Sequence, residues 1–149
     1  MDRKYAIGQI LKHKWFVFVA GIGLGCNLLG LILHDLSKFY PCERRAVDDA
    51  RPYAWNYHAN RNRHHCEFWY SRTGGRGCGD FENGQVLPMP RRYIKEMVAD
   101  WFGASRAYNG HWPPKTGWTW FNSNFSKMLM HPHTRYEVTQ LLMRKGYLK

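Results

Sequence analysis

The sequence predicts an all-α fold in one domain of about five to seven helices, and three observations carry that expectation. Its 149 residues, 44% hydrophobic and 16% aromatic, suffice for one core and are few for two. Apolar and aromatic stretches of helical length are separated by breaks rich in Gly and Pro, at Gly21–Asn27, 71–90 and 108–116. Nowhere do apolar and polar residues alternate cleanly over the length of a strand. The sequence also carries no internal repeat, no heptads and no low-complexity tail.

The first elements admit two readings. Trp15 to Leu33 carries no charge and follows Arg3, Lys4, Lys12 and Lys14, a pattern that also suits a membrane span. Gly21, Gly23, Gly25, Cys26 and Asn27 read instead as a helix end and a turn. Two buried helices at about 5–20 and 27–36, with no membrane span, are therefore expected. Residues 41–52 are polar and suit a turn and a short helix. Tyr53 to Tyr70 reads as one longer helix, with His58, Arg61, Asn62 and His65 on one face and His64 rotated about 100° from His65. On such a helix His58 and His65 would lie about 10 Å apart along the axis, far for direct sharing of one ion.

Residues 71–90 are expected to form a Gly-rich loop, with a small hairpin closing at Asn83-Gly84. No GK[ST] follows those glycines, so they are not a phosphate-binding P-loop. Pro90 opens a helix over Arg91–Ala107, in which Glu96 and Asp100 lie one turn apart inside an apolar pattern. Two carboxylates at that spacing repel unless a cation relieves them. Gly117 to Met130 is expected to be helical. The last helix begins at His131-Pro132 and ends near Gly146, where orphan amides together with Lys127 and Arg135 suit either an anion or a plain capped helix.

Charge narrows the partners. Lys and Arg number 22 against 11 acids, a net +11 that favours nucleotides, nucleic acid or anionic lipid. The four cysteines form no CxxC pair, which points to free thiols in a reducing, cytoplasmic compartment. Zinc held by Cys66 and Cys78 is the less favoured alternative, because the spacing of structural zinc sites is missing. The densest chemistry lies at His34-Asp35, where an apolar run ends in an imidazole beside a carboxylate, a pair able to chelate one divalent metal. His13, His58, His64, His65 and Asp100 complete the inventory of candidate ligands.

His13, the apolar helix after it and His34-Asp35-Leu36-Ser37-Lys38 resemble the opening of the HD-domain superfamily, which pairs an isolated His with a hydrophobic-HD-x-x-K motif and a distant Asp. The resemblance implies an HD-like helical domain over the whole chain, with His13, His34, Asp35 and Asp100 as ligands of one metal. It further implies that His58 and His65 hold a second metal bridged by Asp35, and that Glu96 supports the ligands or serves as general base. Such ligands suit Mn, Fe, Co, Ni or Zn, one or two ions per chain. The implied activity is that of a metal-dependent phosphohydrolase or phosphodiesterase acting on a nucleotide or similar small phosphate ester. Asp35, Lys38 and Glu96 would be catalytic, and Lys38, Arg61, Lys127 and Arg135 would meet the substrate. A di-iron oxygenase of the same fold, or a basic nucleic-acid-binding protein without catalysis, are the alternatives. Across His13-Lys14-Trp15, His34–Phe39, Arg61–His65, Leu87–Pro90, Glu96–Trp101 and Lys127–Arg135 the chain also resembles a family of short bacterial and phage proteins, which brings no activity with it.

Overall fold

A computed structural model describes residues 7–43, 51–73 and 80–149. The described residues are mostly helical, with seven helices, and the all-α expectation holds apart from one hairpin. Helix α1 (Ile7–Leu24) buries Ile10, His13, Val17, Gly21 and Leu24, a repeat of three and four residues that marks one face. That face lies along α5 (Arg91–Ala104). The two backbones touch at Gly103, where a Cβ would stand 2.6 Å from the Val17 nitrogen, so only glycine permits the crossing.

Helix α1 runs past the expected end near residue 20, because Gly21 leaves room for the Leu31 side chain. It stops at Gly25, whose positive φ of 67° closes the helix. Gly25 N–H donates to the Ile22 carbonyl and Cys26 N–H to the Gly21 carbonyl, satisfying two of the last orphan acceptors. Asn27 then caps α2 (Leu28–Leu33) by accepting from the Gly30 N–H at 3.1 Å. The break between two helices thus stands where the glycines and Asn27 indicated, and no described helix is long and apolar enough to cross a membrane.

After α2 the chain turns at Asp35, which has φ 55° and is the one non-glycine residue with positive φ among those described. A 3-10 turn (Leu36–Phe39) follows, and residues 41–43 begin α3. Helix α4 spans Arg51–Ala59, so the single helix expected from Tyr53 to Tyr70 does not form. The reason lies in Asn62, whose amide donates back to the His58 carbonyl at 2.8 Å and across to Ser37 Oγ at 3.1 Å. An Asn side chain that bonds nearby backbone competes with the helical ladder. A second 3-10 turn (Cys66–Trp69) leads into the antiparallel hairpin of β1 (Tyr70–Thr73) and β2 (Asp80–Val86). Asn83 and Gly84 lie within β2, not at the turn; Gly84 is there because the Tyr70 ring occupies the space a side chain would need.

Helix α5 continues through one π turn (Ser105–Asn109), close to the expected end at residue 107. Helix α6 (Thr119–Asn124) is shorter than expected and passes into a 3-10 turn (Phe125–Lys127). There Arg135 draws the Phe125 and Met128 carbonyls to its guanidinium at 2.6 Å each. Helix α7 (Pro132–Arg144) starts with Pro132 in its first turn and packs on α5. Val17, Ile94, Val98, Phe102, Trp118, Phe121, Val138 and Leu142 join these helices in one core.

Candidate metal centre

Five elements deliver side chains to one buried pocket beside that core. His13 comes from the inner face of α1, and His34 and Asp35 from the end of α2. His58 comes from the last turn of α4, His64 and His65 from the turn after it, and Asp100 from α5. The left-handed backbone at Asp35 lets adjacent residues 34 and 35 both face inward. His34, Asp35 and His58 are almost completely buried, and His13, His64 and His65 nearly so.

The reactive atoms fall into two groups that share Asp35. In the first, His13 Nε2 stands 3.2 Å from Asp35 Oδ2 and 2.9 Å from Asp100 Oδ1. His34 Nε2 stands 3.5 Å from the same Asp35 oxygen and 3.4 Å from the same Asp100 oxygen. In the second, the other oxygen of Asp35 is 3.1 Å from His58 Nε2 and 3.4 Å from His64 Nε2. His65 completes this group, its ring centroid 4.9 Å from that of His58 and 4.2 Å from that of His64. Ligand atoms of each group lie within 4.8 Å of one another. Metal–ligand bonds of about 2.1 Å set neighbouring ligands about 3.0 Å apart in an octahedron and about 3.4 Å apart in a tetrahedron. The measured contacts span that interval.

Hydrogen bonding does not explain the convergence. Nε2 of His13, His34, His58, His64 and His65, and Oδ1 of Asp35, are buried without a hydrogen-bond partner. Each such atom costs about 1–3 kcal/mol if nothing satisfies it, and a cluster of them calls for an explanation. The far sides of three of the rings are anchored, whereas Nδ1 of His13 is buried without a hydrogen-bond partner as well. Glu96 Oε1 accepts from His34 Nδ1 at 3.1 Å and lies 3.4 Å from His64 Nδ1, while Glu43 Oε1 is 2.6 Å from His58 Nδ1. Carboxylates at Nδ1 fix the tautomer that leaves the Nε2 lone pair facing inward, an arrangement typical of metal-ligating histidines. The buried His and Asp groups can therefore hold a metal ion, and the shared Asp35 allows for two.

The electrostatics of the metal-free site agree with that inventory. Burial opposes charge on His34, but Asp35 with Asp100 and Glu96 raises its imidazole to about 10. His13 and His58 are raised in the same way, against their burial, by the carboxylates they face. Asp35 and Asp100 are held well below the usual carboxylate range despite burial, through His34 and Lys38 for Asp35 and through His13 and His34 for Asp100. Glu96, also against its burial, falls to about 2 beside His34 and His64. His65 is pushed well down by burial and by neighbouring His64. Lys38 lies against Asp35 Oδ2, and that carboxylate raises its ammonium despite burial.

Six residues expected as ligands, His13, His34, Asp35, His58, His65 and Asp100, are brought together. His64, a candidate ligand that was assigned to neither metal, joins them. The 10 Å separation of His58 and His65 falls with the long helix, because the chain reverses after Ala59 and folds both rings onto Asp35. Glu96 faces two imidazoles through Oε1, the contact by which it supports the ligands. Glu43 went unforeseen; nothing in its polar stretch distinguishes it from its neighbours. Arg135 lies away from the ligand groups in its contacts: both terminal nitrogens donate to carbonyls and its guanidinium lies 4.7 Å from the Phe125 ring centre. Lys127 is exposed and makes no polar contact among the described residues, and Arg61 lies 3.6 Å over the Tyr57 ring on the turn between His58 and His64. At the helix start His131 acts as a cap, its Nδ1 accepting from the His133 N–H at 3.1 Å. Cys66 is a buried thiol donating to Glu67 at 3.3 Å and pushed up to about 12 by burial; its proposed partner Cys78 lies outside the described residues.

No curated protein and no solved structure matches the chain. A family of unknown function matches residues 47–144, a segment that includes His58, His64, His65, Glu96 and Asp100 and begins after His34 and Asp35. That match covers most of the sequence, and the chain belongs to this family, DUF5662.

Proposed function

We propose that the chain is a metal-dependent phosphohydrolase or phosphodiesterase acting on a nucleotide or similar small phosphate ester. The observation that carries this reading is Asp35, whose two oxygens face two separate groups of otherwise unsatisfied ligand atoms. His13, His34, Asp35 and Asp100 would hold one ion, and Asp35, His58, His64 and His65 a second. Nitrogen-rich donor sets of this kind suit Mn, Fe, Co, Ni or Zn. Such ions, if bound there, would supply a nucleophile at neutral pH by lowering the pKa of water towards about 7, and would polarise a phosphoryl oxygen.

The chain supplies orientation and charge. Glu43 and Glu96 hold the imidazoles in the ligating tautomer. Lys38, half-buried against Asp35, carries a positive charge beside the ligands that would neutralise charge developing on a phosphate. Arg61, exposed between two ligating histidines, is placed to meet the outer oxygens of a substrate. The surplus of +11 favours the approach of an anion. A second reading, a di-iron oxygenase, draws on the three imidazoles of the second group, which suit iron.

The test is a turnover screen of mononucleotides and of cyclic and linear dinucleotides, with protein loaded with Mn, Fe, Co, Ni or Zn. Hydrolysis of at least one substrate, suppressed by chelator, is expected. Asp35→Ala should abolish it, and Lys38→Ala should lower kcat by about 10²–10³, as loss of a charge-stabilising donor does. A fully metallated chain that hydrolyses nothing, yet consumes oxygen or retards a labelled oligonucleotide, would move the assignment to one of the alternatives.

A further inference from the structure

We infer that Lys14 is a positioning residue of the metal centre, its ammonium gripping the peptide bond that joins the ligands His34 and Asp35. The role presupposes the metal-dependent reading above. Lys14 follows His13 on α1, about 100° further round the helix. Helix α1 therefore delivers an imidazole to one ligand group and a cation to the backbone between two further ligands. The Lys14 stem lies in the groove between α1 and α2, beside Leu11, Leu31 and Ile32, and its ammonium reaches the end of α2. There it donates to the Ile32 carbonyl at 3.1 Å and, more closely, to the His34 carbonyl.

The turn needs such a hold. Asp35 has φ 55° and ψ 21°, directly after His34 at φ −52° and ψ 129°. Among residues with a Cβ the left-handed conformation is uncommon, and it persists where the surroundings enforce it. Backbone bonds of the turn run from the His34 N–H to the Leu31 carbonyl at 3.4 Å and from the Lys38 N–H to the Asp35 carbonyl at 3.0 Å. Neither holds the His34 carbonyl, whose direction follows ψ of His34 and φ of Asp35 together. With Lys14 on that oxygen, the peptide plane between the two ligands is fixed and both side chains stay turned into the pocket. Helix α2 cannot fix it alone, since six residues are far too few for a stable helix.

Charge makes this role separable from a simple electrostatic one. Lys14 is half-buried, and its charge is coupled to those of Asp35, Lys38 and Glu96. A positive charge so near the ligands repels a divalent cation. If Lys14 acted through charge alone, removing it would tighten metal binding; if it holds the peptide, removing it loosens metal binding. The two roles thus predict opposite signs. Lys145 offers a matched control, because it donates to the Gly23 carbonyl at 2.7 Å, a tie of the same kind in which neither partner adjoins a ligand.

Calorimetric titration of Mn into the chelator-stripped full chain tests the inference, in wild type, Lys14→Met and Lys145→Met. Met keeps the apolar stem in the groove and lacks only the donor. Lys14→Met should weaken Mn binding about 10–100-fold, as loss of an outer support does. Lys145→Met should bind Mn like wild type, even where its Tm falls as far. Hydrogen exchange of the metal-free chain gives a second measurement: the segment 34–40 should exchange faster in Lys14→Met and unchanged in Lys145→Met. Mn affinity in Lys14→Met equal to or tighter than wild type, or a segment 34–40 as protected as in wild type, overturns the inference. A wild type that takes up none of Mn, Fe, Co, Ni or Zn refutes the metal centre itself, and the exchange result then decides whether Lys14 holds the turn.

Discussion

Glu96 decides more of the site than its place at the rim suggests. Its Oε1 meets His34 from one ligand group and His64 from the other, so one carboxylate orients a ring on each side of Asp35. Glu96→Gln should keep the fold but weaken metal binding about 10–100-fold, the usual cost of losing an outer carboxylate. Calorimetric titration with Mn in wild type and variant checks this; unchanged affinity would demote Glu96 to a surface acid. The residues of the site differ in how legible they were. His34 and Asp35 stand out because an apolar run ends in two polar groups. Asp100 was findable from its place inside an apolar helical pattern. His64 was not, because its direction depends on where α4 stops, and that is set by side-chain bonds of Asn62 to Ser37 and to the His58 carbonyl. Ser37 is distant in sequence, so no local pattern reveals the break.

At the level of elements, glycine and asparagine signals told most about the ends of helices, and least about hairpins. Gly25 and Asn27 mark the α1–α2 turn in sequence as in space. Asn83-Gly84 reads as a hairpin turn but lies within β2, where Gly84 makes room for Tyr70. A glycine selected by close approach has the same letter as one selected by positive φ. Gly103 is another of the first kind. Gly103→Ala would drive a methyl group into the backbone of Val17, not into a flexible side chain that could yield. The α1–α5 crossing would have to open, at a cost of several kcal/mol, beyond the 1–3 kcal/mol typical of overpacking. Thermal melting should show a large fall in Tm and, because His13 and Asp100 lie on these two helices, a parallel loss of bound metal. A variant with wild-type Tm would contradict the crossing described.

For the whole molecule, pH separates the metal-free from the metal-bound state. Without metal, His34 titrates near 10 when folded against 6.5 when unfolded, and His13 and His58 are shifted in the same direction. The stabilising contribution of His34 is complete below pH 6.5 and is lost as pH rises through about 10, and those of His13 and His58 are lost in the same direction. Glu96 acts oppositely: its contribution is complete above pH 4.5 and is lost as pH falls through about 2. Metal requires neutral imidazoles, so affinity should rise over the interval in which the metal-free chain weakens. Melting curves in chelator should therefore fall between pH 6.5 and 10, while the increase in Tm on adding Mn should grow; an increase independent of pH would exclude imidazole ligands. The all-α class was legible because apolar runs and breaks suffice to indicate it. The joining of two ligand groups through one carboxylate was not read from local spacing, since it arises only when α1, α2, α4 and α5 meet. That joining is the central claim, and elemental metal analysis of untagged protein tests it most directly. Wild type should carry about two ions per chain, Asp100→Ala about one, and Asp35→Ala close to none. Metal retained in full by Asp35→Ala, or stripped by Cys78→Ser while Asp35→Ala keeps it, would contradict the account.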